Sequence, residues 1–390
     1  MIAIIGGGIS GLIAAINLET ADKKCIIVEK SDRLGGRVGT DIIDGVPFDH
    51  GFQVLLTDYP YAKKYLDYAG LDLQEFEPGA VVFKDGKRSK FGDPLRNIFH
   101  LLPTAISWVG GFNDKMKIYE LSKNLGLKSL DAIFDEEEQS TMDYLQKLSF
   151  SPKIIENFFR PFFGGIFLEK DLSTSSRMFE FVFKMFAEGS AAIPLKGMQE
   201  IVTQLQSKLT TTKTLLGQEP KISSDGRVMI GDNHLEISGV IKAYNKENTK
   251  WKGSTTLYYK VEKRILKGNI IGLLATSKSV INSFHYVNDE TLSVTVLDGH
   301  GAEDISGQVE VELKEELGLG PVKLLKQYKI PRSLPDLTNL GHGDRSNMEV
   351  VNGLPILHAG DGLYYSSLNA AMYSGEVAAQ KMLEYLSKVQ

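Results

Sequence analysis

A chain of 390 residues is too long for one compact core and suits two domains, or one domain carrying a large insertion. Hydrophobic residues at 42% and charged residues at 24% exclude a disordered or fibrous chain. The 44 basic and 49 acidic residues lack the basic excess of a nucleic-acid binder, and none is expected as a partner. Cys25, the single cysteine, rules out an intramolecular disulfide and a multi-cysteine zinc site, and fits a reducing, cytoplasmic compartment. The seven histidines show no H-E-x-x-H pairing, so no metal is expected.

Residues 1–5 form an apolar run without polar alternation, the pattern of a strand buried on both faces. They carry no basic leader and run straight into glycines, so they are expected to belong to a fold rather than to a signal peptide. Gly6-Gly7-Gly8-Ile9-Ser10-Gly11 satisfies G-x-G-x-x-G, and Leu12, Ile13, Ala15, Ile16 and Leu18 follow at helical spacing. A second β-type run at 25–28 ends in Glu29. This is a βαβ unit for a dinucleotide. Gly6 makes the tight turn, Gly8 admits a pyrophosphate to the backbone, and Gly11 lets helix and strand pack closely. Helix amides and the helix dipole receive the phosphates. Glu29 is placed to accept hydrogen bonds from a ribose and would repel a 2′-phosphate. The fingerprint alone does not choose between NAD and FAD.

After Glu29 come Leu34-Gly35-Gly36-Arg37 and then Phe48-Asp49-His50-Gly51-Phe52-Gln53. Near the other end, an apolar run at 355–359 is closed by Gly360-Asp361-Gly362, and Ser367-Leu368-Asn369-Ala370-Ala371 opens a helix. With these motifs the chain resembles the flavin-containing amine oxidase, phytoene desaturase and protoporphyrinogen oxidase superfamily. The resemblance implies FAD as cofactor, with Gly35, Gly36 and Arg37 at the flavin pyrophosphate and ribityl region. It places the turn at 49–53 near the isoalloxazine and Gly360 and Asp361 at the ribityl end. The backbone around Asn369 and Ala370 is then the candidate pyrimidine contact. The implied fold is α/β: a Rossmann-type FAD-binding domain, a doubly wound parallel sheet, with an inserted α+β substrate domain. Residues 1–55, 190–245 and 336–390 would form the first, and 56–189 and 246–335 the second.

Within the insertions, residues 56–189 read mostly as helix, at 59–68, 95–109, 115–125, 141–148 (capped by Thr141) and 152–159. Pro194-Leu195-Lys196-Gly197-Met198 departs from the superfamily's proline followed by G-G-M, which puts a tight turn in question. Short strands with a turn at 224–226 span 221–243; β-type runs follow at 255–261, 270–274 and 292–297, then a helix at 309–317. Amine oxidases carry a lysine that holds a water at flavin N5; Lys246, Lys250 and Lys252 match no motif, and none is given that role.

Nine of the chain's 19 phenylalanines fall between Phe158 and Phe186. They suit a helical core or an apolar substrate channel, and Phe162, Phe163, Gly164 and Gly165 are the candidate pocket residues. Residues 94–111 are rich in apolar side chains with only two titratable residues, Arg96 and His100, and are a candidate for peripheral membrane contact. The expected function is an FAD-dependent oxidoreductase that oxidises or desaturates a hydrophobic substrate by hydride transfer to flavin N5. That substrate would be isoprenoid-like, porphyrinogen-like or an amine, with oxygen, a quinone or another electron acceptor completing the cycle. No protein residue is assigned as a catalytic acid or base. A flavoprotein that uses FAD structurally, as a binding or chaperone-like module, and an NAD-linked dehydrogenase are the alternatives.

Overall fold

The computed structural model describes residues 1–92, 107–223, 227–230, 233–276, 278–299, 304–340 and 345–389. Strand Ile2–Ile5 ends at Gly6, whose φ is +106°; a side chain there would also begin 2.7 Å from the Ala243 carbonyl oxygen. Helix Ile9–Thr20 buries Leu12, Ile13, Ala15 and Leu18. Its close packing depends on Gly11, where a Cβ would lie 2.1 Å from the Gly6 oxygen. Cys25–Val28 then returns parallel to the first strand.

These elements seed a six-stranded sheet in the order Lys213–Leu215, Cys25–Val28, Ile2–Ile5, Gly239–Ala243, Leu354–Ala359, Met348–Val351. Five strands run parallel, and the last is antiparallel to its neighbour. Helix Leu368–Val389 packs on helix Ile9–Thr20 through Gly375, where a Cβ would meet the Ser10 oxygen at 2.3 Å. The other face of the sheet is covered by the antiparallel strands Lys221–Ile222, Val228–Ile230 and Asn233–Leu235. Val228 and Ile230 pack there against Ala3, Ile26, Val28 and Val240.

A second sheet has seven strands: Lys323–Pro335, Trp251–Lys260, Thr291–Leu297, Ile281–Tyr286, Ile271–Leu274, Ala80–Lys84 and Lys87–Phe91. Helix Ile305–Glu315 seals one face, with Val309 and Leu313 against Leu257, Tyr259 and Val294. The expectation that 56–189 is mostly helical is corrected by Leu73–Glu75, Ala80–Lys84 and Lys87–Phe91. The hairpin turns at Asp85-Gly86, both at positive φ (+50° and +70°), the conformation that suits the twist of two tightly joined strands.

The helical part of the insertion is Phe112–Leu127, Leu130–Phe134, Thr141–Lys147 and Ser176–Glu188, with Arg160–Phe167 between. Ser140, not Thr141, caps the third of these by accepting from the Asp143 amide; the Thr141 hydroxyl is spent on the Thr174 carbonyl. The segment expected as a helix at 152–159 is a short α-turn that widens into a π-helix over Ile155–Phe159. Most of the apolar segment 94–111, the helix expected at 95–109 and the turn at 224–226 lie outside the described residues. No described helix is long and apolar enough to cross a membrane.

Candidate active site

The crevice outside the carboxyl ends of the parallel strands brings the glycine motifs together. Gly35 donates its amide to the Gly7 oxygen at 2.8 Å, and Gly8 bridges to Gly35. Across this junction a Cβ on Gly36 would lie 3.3 Å from Gly8 Cα, and one on Gly8 would find nothing nearer than 4.0 Å. The result is a backbone-lined cradle at the start of helix Ile9–Thr20, which has no capping side chain. Open amides beside side-chain-free space suit a phosphate, because the anion completes the helix's first-turn hydrogen bonds.

Glu29 is buried beside the cradle. Its carboxylate accepts from the Gly7 amide at 2.6 Å and from the Ser31 amide and hydroxyl, each at 2.8 Å. Glu29 therefore fastens the glycine turn as well as marking the strand end. Arg33, which the sequence reading did not single out, ties the loop from inside by donating to the oxygens of Val38 (2.8 Å) and Gly36 (3.0 Å). Its signal was its place just before the glycine pair.

Arg37 and Asp361 form an ion pair between the two ends of the chain. The Arg37 guanidinium also donates to the Ser333 oxygen at 3.0 Å and lies over the Trp251 ring at 5.3 Å. Asn245, just past strand Gly239–Ala243, donates to Asp361 at 3.1 Å and accepts from the Gly362 amide at 3.0 Å. Asp361 thus takes two side-chain donors and does not cap the C-terminal helix. That helix is opened by Ser367, whose hydroxyl accepts from the Ala370 amide at 3.0 Å. The Asn369 side chain accepts from the Tyr61 amide and donates to Tyr365, tying the insertion to the helix start. The turn at Pro194–Gly197 is tight despite Lys196: Gly197 donates to the Pro194 oxygen at 2.8 Å and sits at φ +89°. The Met198 amide then donates to Asp49, whose carboxyl is pushed up by burial and held down in part by Thr40 and that amide.

The four candidate pocket residues separate. Phe163 is fully buried, and a Cβ on Gly164 or Gly165 would strike the Glu169 oxygen or Asn282, so protein atoms occupy the space expected for a ligand. Phe162 keeps a half-buried ring, stacked on Phe158 at 5.2 Å and near Phe186 at 5.3 Å. Most of the phenylalanine concentration is therefore helical core. Lys246 and Lys250 are exposed, and Lys252 is held by Glu169.

Beyond the 49–53 turn, Phe52 stacks on His285 with ring centroids 4.4 Å apart. Burial pulls His285 down from 6.5 to about 3, so it is neutral at ordinary pH. The unfolded chain takes up this proton near pH 6.5 and the folded chain only near 3. The stability this provides is complete above 6.5 and is lost as pH falls toward 3. Thermal melts should show a smaller loss between pH 7 and 4 in His285→Phe than in the parent; equal losses would contradict this burial effect.

Among known proteins, the chain is 25% identical over 251 residues to the carotenoid phi-ring synthase of Chlorobaculum tepidum, covering 58% of this chain and 38% of that protein. It is 52% identical over 50 residues to polyamine oxidase 5 of Oryza sativa subsp. japonica, covering 13% of this chain and 10% of the relative. The matches thus span well under two thirds of these curated relatives. A solved structure of a redesigned putrescine oxidase shares the fold, with a TM-score of 0.72 at 19% identity, covering 98% of both chains. The family model for flavin containing amine oxidoreductases matches residues 9–221, more than half of the chain, and the cradle, the Glu29 carboxylate and the paired ends fit the flavin nucleotide such a family holds. The chain belongs to the flavin containing amine oxidoreductase family.

Proposed function

We propose that the protein is an FAD-dependent oxidoreductase that oxidises or desaturates a hydrophobic substrate by hydride transfer. The observation that carries this reading is the side-chain-free cradle between Gly8 and Gly36 at the parallel strand ends. FAD, when bound, supplies the acceptor for a hydride and passes the electrons on to oxygen, a quinone or another acceptor. The chain's part is to hold and orient it. Amides at Gly8 and the start of helix Ile9–Thr20 would take the pyrophosphate, and Glu29 would take the ribose. Arg37, Asp361 and Asn245 would fix the middle of the cofactor where the chain's two ends meet. The start of helix Leu368–Val389, near Asn369 and Ala370, would direct positive dipole toward the flavin ring. The half-buried rings of Phe52 and Phe162 would exclude water on the substrate side.

Anaerobic addition of candidate substrates to flavin-loaded protein tests this: bleaching of the flavin by an unsaturated isoprenoid or an amine supports it. Stable flavin absorbance with every such compound would favour a structural use of FAD.

Glu29→Ala should weaken FAD binding about ten- to a hundredfold, since charge-assisted hydrogen bonds are worth about 1.5–3 kcal/mol. It should also lower the melting temperature of the flavin-free protein, because the Gly7 and Ser31 amides lose their acceptor. An unchanged FAD dissociation constant would show that another residue holds the ribose.

A further inference from the structure

The seven-stranded sheet has two unlike faces. The face toward helix Ile305–Glu315 is apolar and aromatic, with Leu257, Tyr259, Leu292, Val294 and Phe284. The opposite face carries hydroxyls and an imidazole on three neighbouring strands. Tyr258, Ser293 and His285 stand directly across from one another in register, and Thr256, Thr295 and Ser283 form the adjoining row. All six are at most 6% exposed.

A row of buried polar side chains on a sheet is stable when its members bond to one another. Here Thr256 Oγ1 and His285 Nδ1 have no hydrogen-bond partner, while Ser293 Oγ faces the Tyr258 hydroxyl. Tyr258 also donates out of the row, to the Asp49 oxygen at 2.9 Å. Orphaned polar atoms cost stability, and two on one face are hard to account for by packing alone.

Tyr258 and His285 also line a cavity of about 40 Å³, together with Asp49, Gly51, Phe52 and Phe76. That is room for a few water-sized groups, not for a polyene or a polyamine chain. The wall is aromatic above, from Phe52 and Phe76, and polar below. Its one carboxylate, Asp49, already accepts from Thr40 and the Met198 amide, and its imidazole is uncharged. A cation would lose its hydration here without a free counter-charge, whereas a carbonyl or hydroxyl would gain hydrogen bonds.

We propose that His285, where this polar face meets the cavity, recognises an uncharged oxygen function on an otherwise apolar substrate. The inference rests on the oxidoreductase reading above and narrows its substrate class to oxygenated apolar molecules. His285 can donate to a carbonyl or accept from a hydroxyl, according to tautomer. His285 selects the substrate, and no step of hydride transfer is assigned to it.

The test uses FAD-loaded protein with three probes: all-trans-retinal, the hydrocarbon of the same carbon skeleton without the oxygen, and putrescine. Binding is followed by the probe's absorbance or by equilibrium dialysis. Retinal should bind at least about tenfold tighter than the hydrocarbon and tighter than putrescine. His285→Phe keeps the stack on Phe52 and should bring retinal down to the hydrocarbon's affinity, leaving the hydrocarbon unchanged. His285→Leu likewise removes the donor and acceptor, should bring retinal down to the hydrocarbon's affinity, and serves if His285→Phe does not fold. At pH 7 His285→Phe should melt at or above the parent's temperature, because it removes an unpartnered buried group; a merely structural role would lower it. Retinal binding no tighter than the hydrocarbon, tighter putrescine binding, or variants that bind retinal as the parent does would overturn the proposal. Failure of the parent to take up FAD at all would instead overturn the oxidoreductase reading.

Discussion

Gly8→Val should yield folded protein that no longer holds FAD, with affinity reduced more than about a hundredfold. Backbone at Gly8 is extended, at φ −73° and ψ −178°, so a β-branched residue is tolerated there. In the cofactor-free chain the first atom met by a Cβ is Gly36 Cα at 4.0 Å, so valine has room to sit. The space it fills is the space proposed for the pyrophosphate. Gly11→Ala is the instructive contrast: its Cβ would be 2.1 Å from the Gly6 oxygen, so helix and strand must part and the protein should be poorly soluble. Flavin content after size-exclusion chromatography, with circular dichroism as the check on folding, separates the outcomes. A well-folded Gly8→Val protein that carries parental flavin would show that the cradle is not the nucleotide site.

The second large effect is expected at Asp361. Leucine there leaves the Arg37 guanidinium without its carboxylate and Asn245 without its acceptor. Removing one partner of a fully buried ion pair costs about 3–5 kcal/mol. The Arg37 side chain is 35% exposed, and water can replace part of the loss, so about 1–3 kcal/mol is expected. Asp361→Leu should melt several degrees lower and lose flavin on purification. Excess FAD should restore part of the melting temperature, because a ligand that binds the folded state stabilises it by mass action. A variant with parental melting and flavin content would separate the closing motif from the cofactor site.

What was legible in the sequence follows from the range of each interaction. The βαβ unit announces itself because the turn at Gly6 and the packing at Gly11 are local demands that only glycine meets. The closing Gly360-Asp361 is likewise local, but its partner is not. Arg37 is 324 residues away, and no periodicity encodes that pairing. Asn245 carried no motif, since its role is to bridge neighbouring strand ends rather than to shape its own loop.

The strand Lys323–Pro335 is hidden in the sequence for a different reason. It is an edge strand whose exposed positions include Lys323, Lys329 and Arg332, so its composition resembles a solvated loop; edge lysines of this kind discourage pairing with other chains. The hairpin at Ala80–Phe91 is masked by its helix-rich surroundings although Asp85-Gly86 is a strong turn signal. The polar face of Thr256, Ser293 and His285 could not be read from sequence. Alternating polar residues look like the solvent side of a strand, and only the covering of that side by Phe52 and its neighbours makes them buried.

The most direct test of the account is the amount of FAD released on denaturing the purified protein after saturation and removal of excess cofactor. The account predicts one FAD per chain and the two visible absorption bands of an oxidised flavin. A colourless protein that takes up no FAD under those conditions would contradict it.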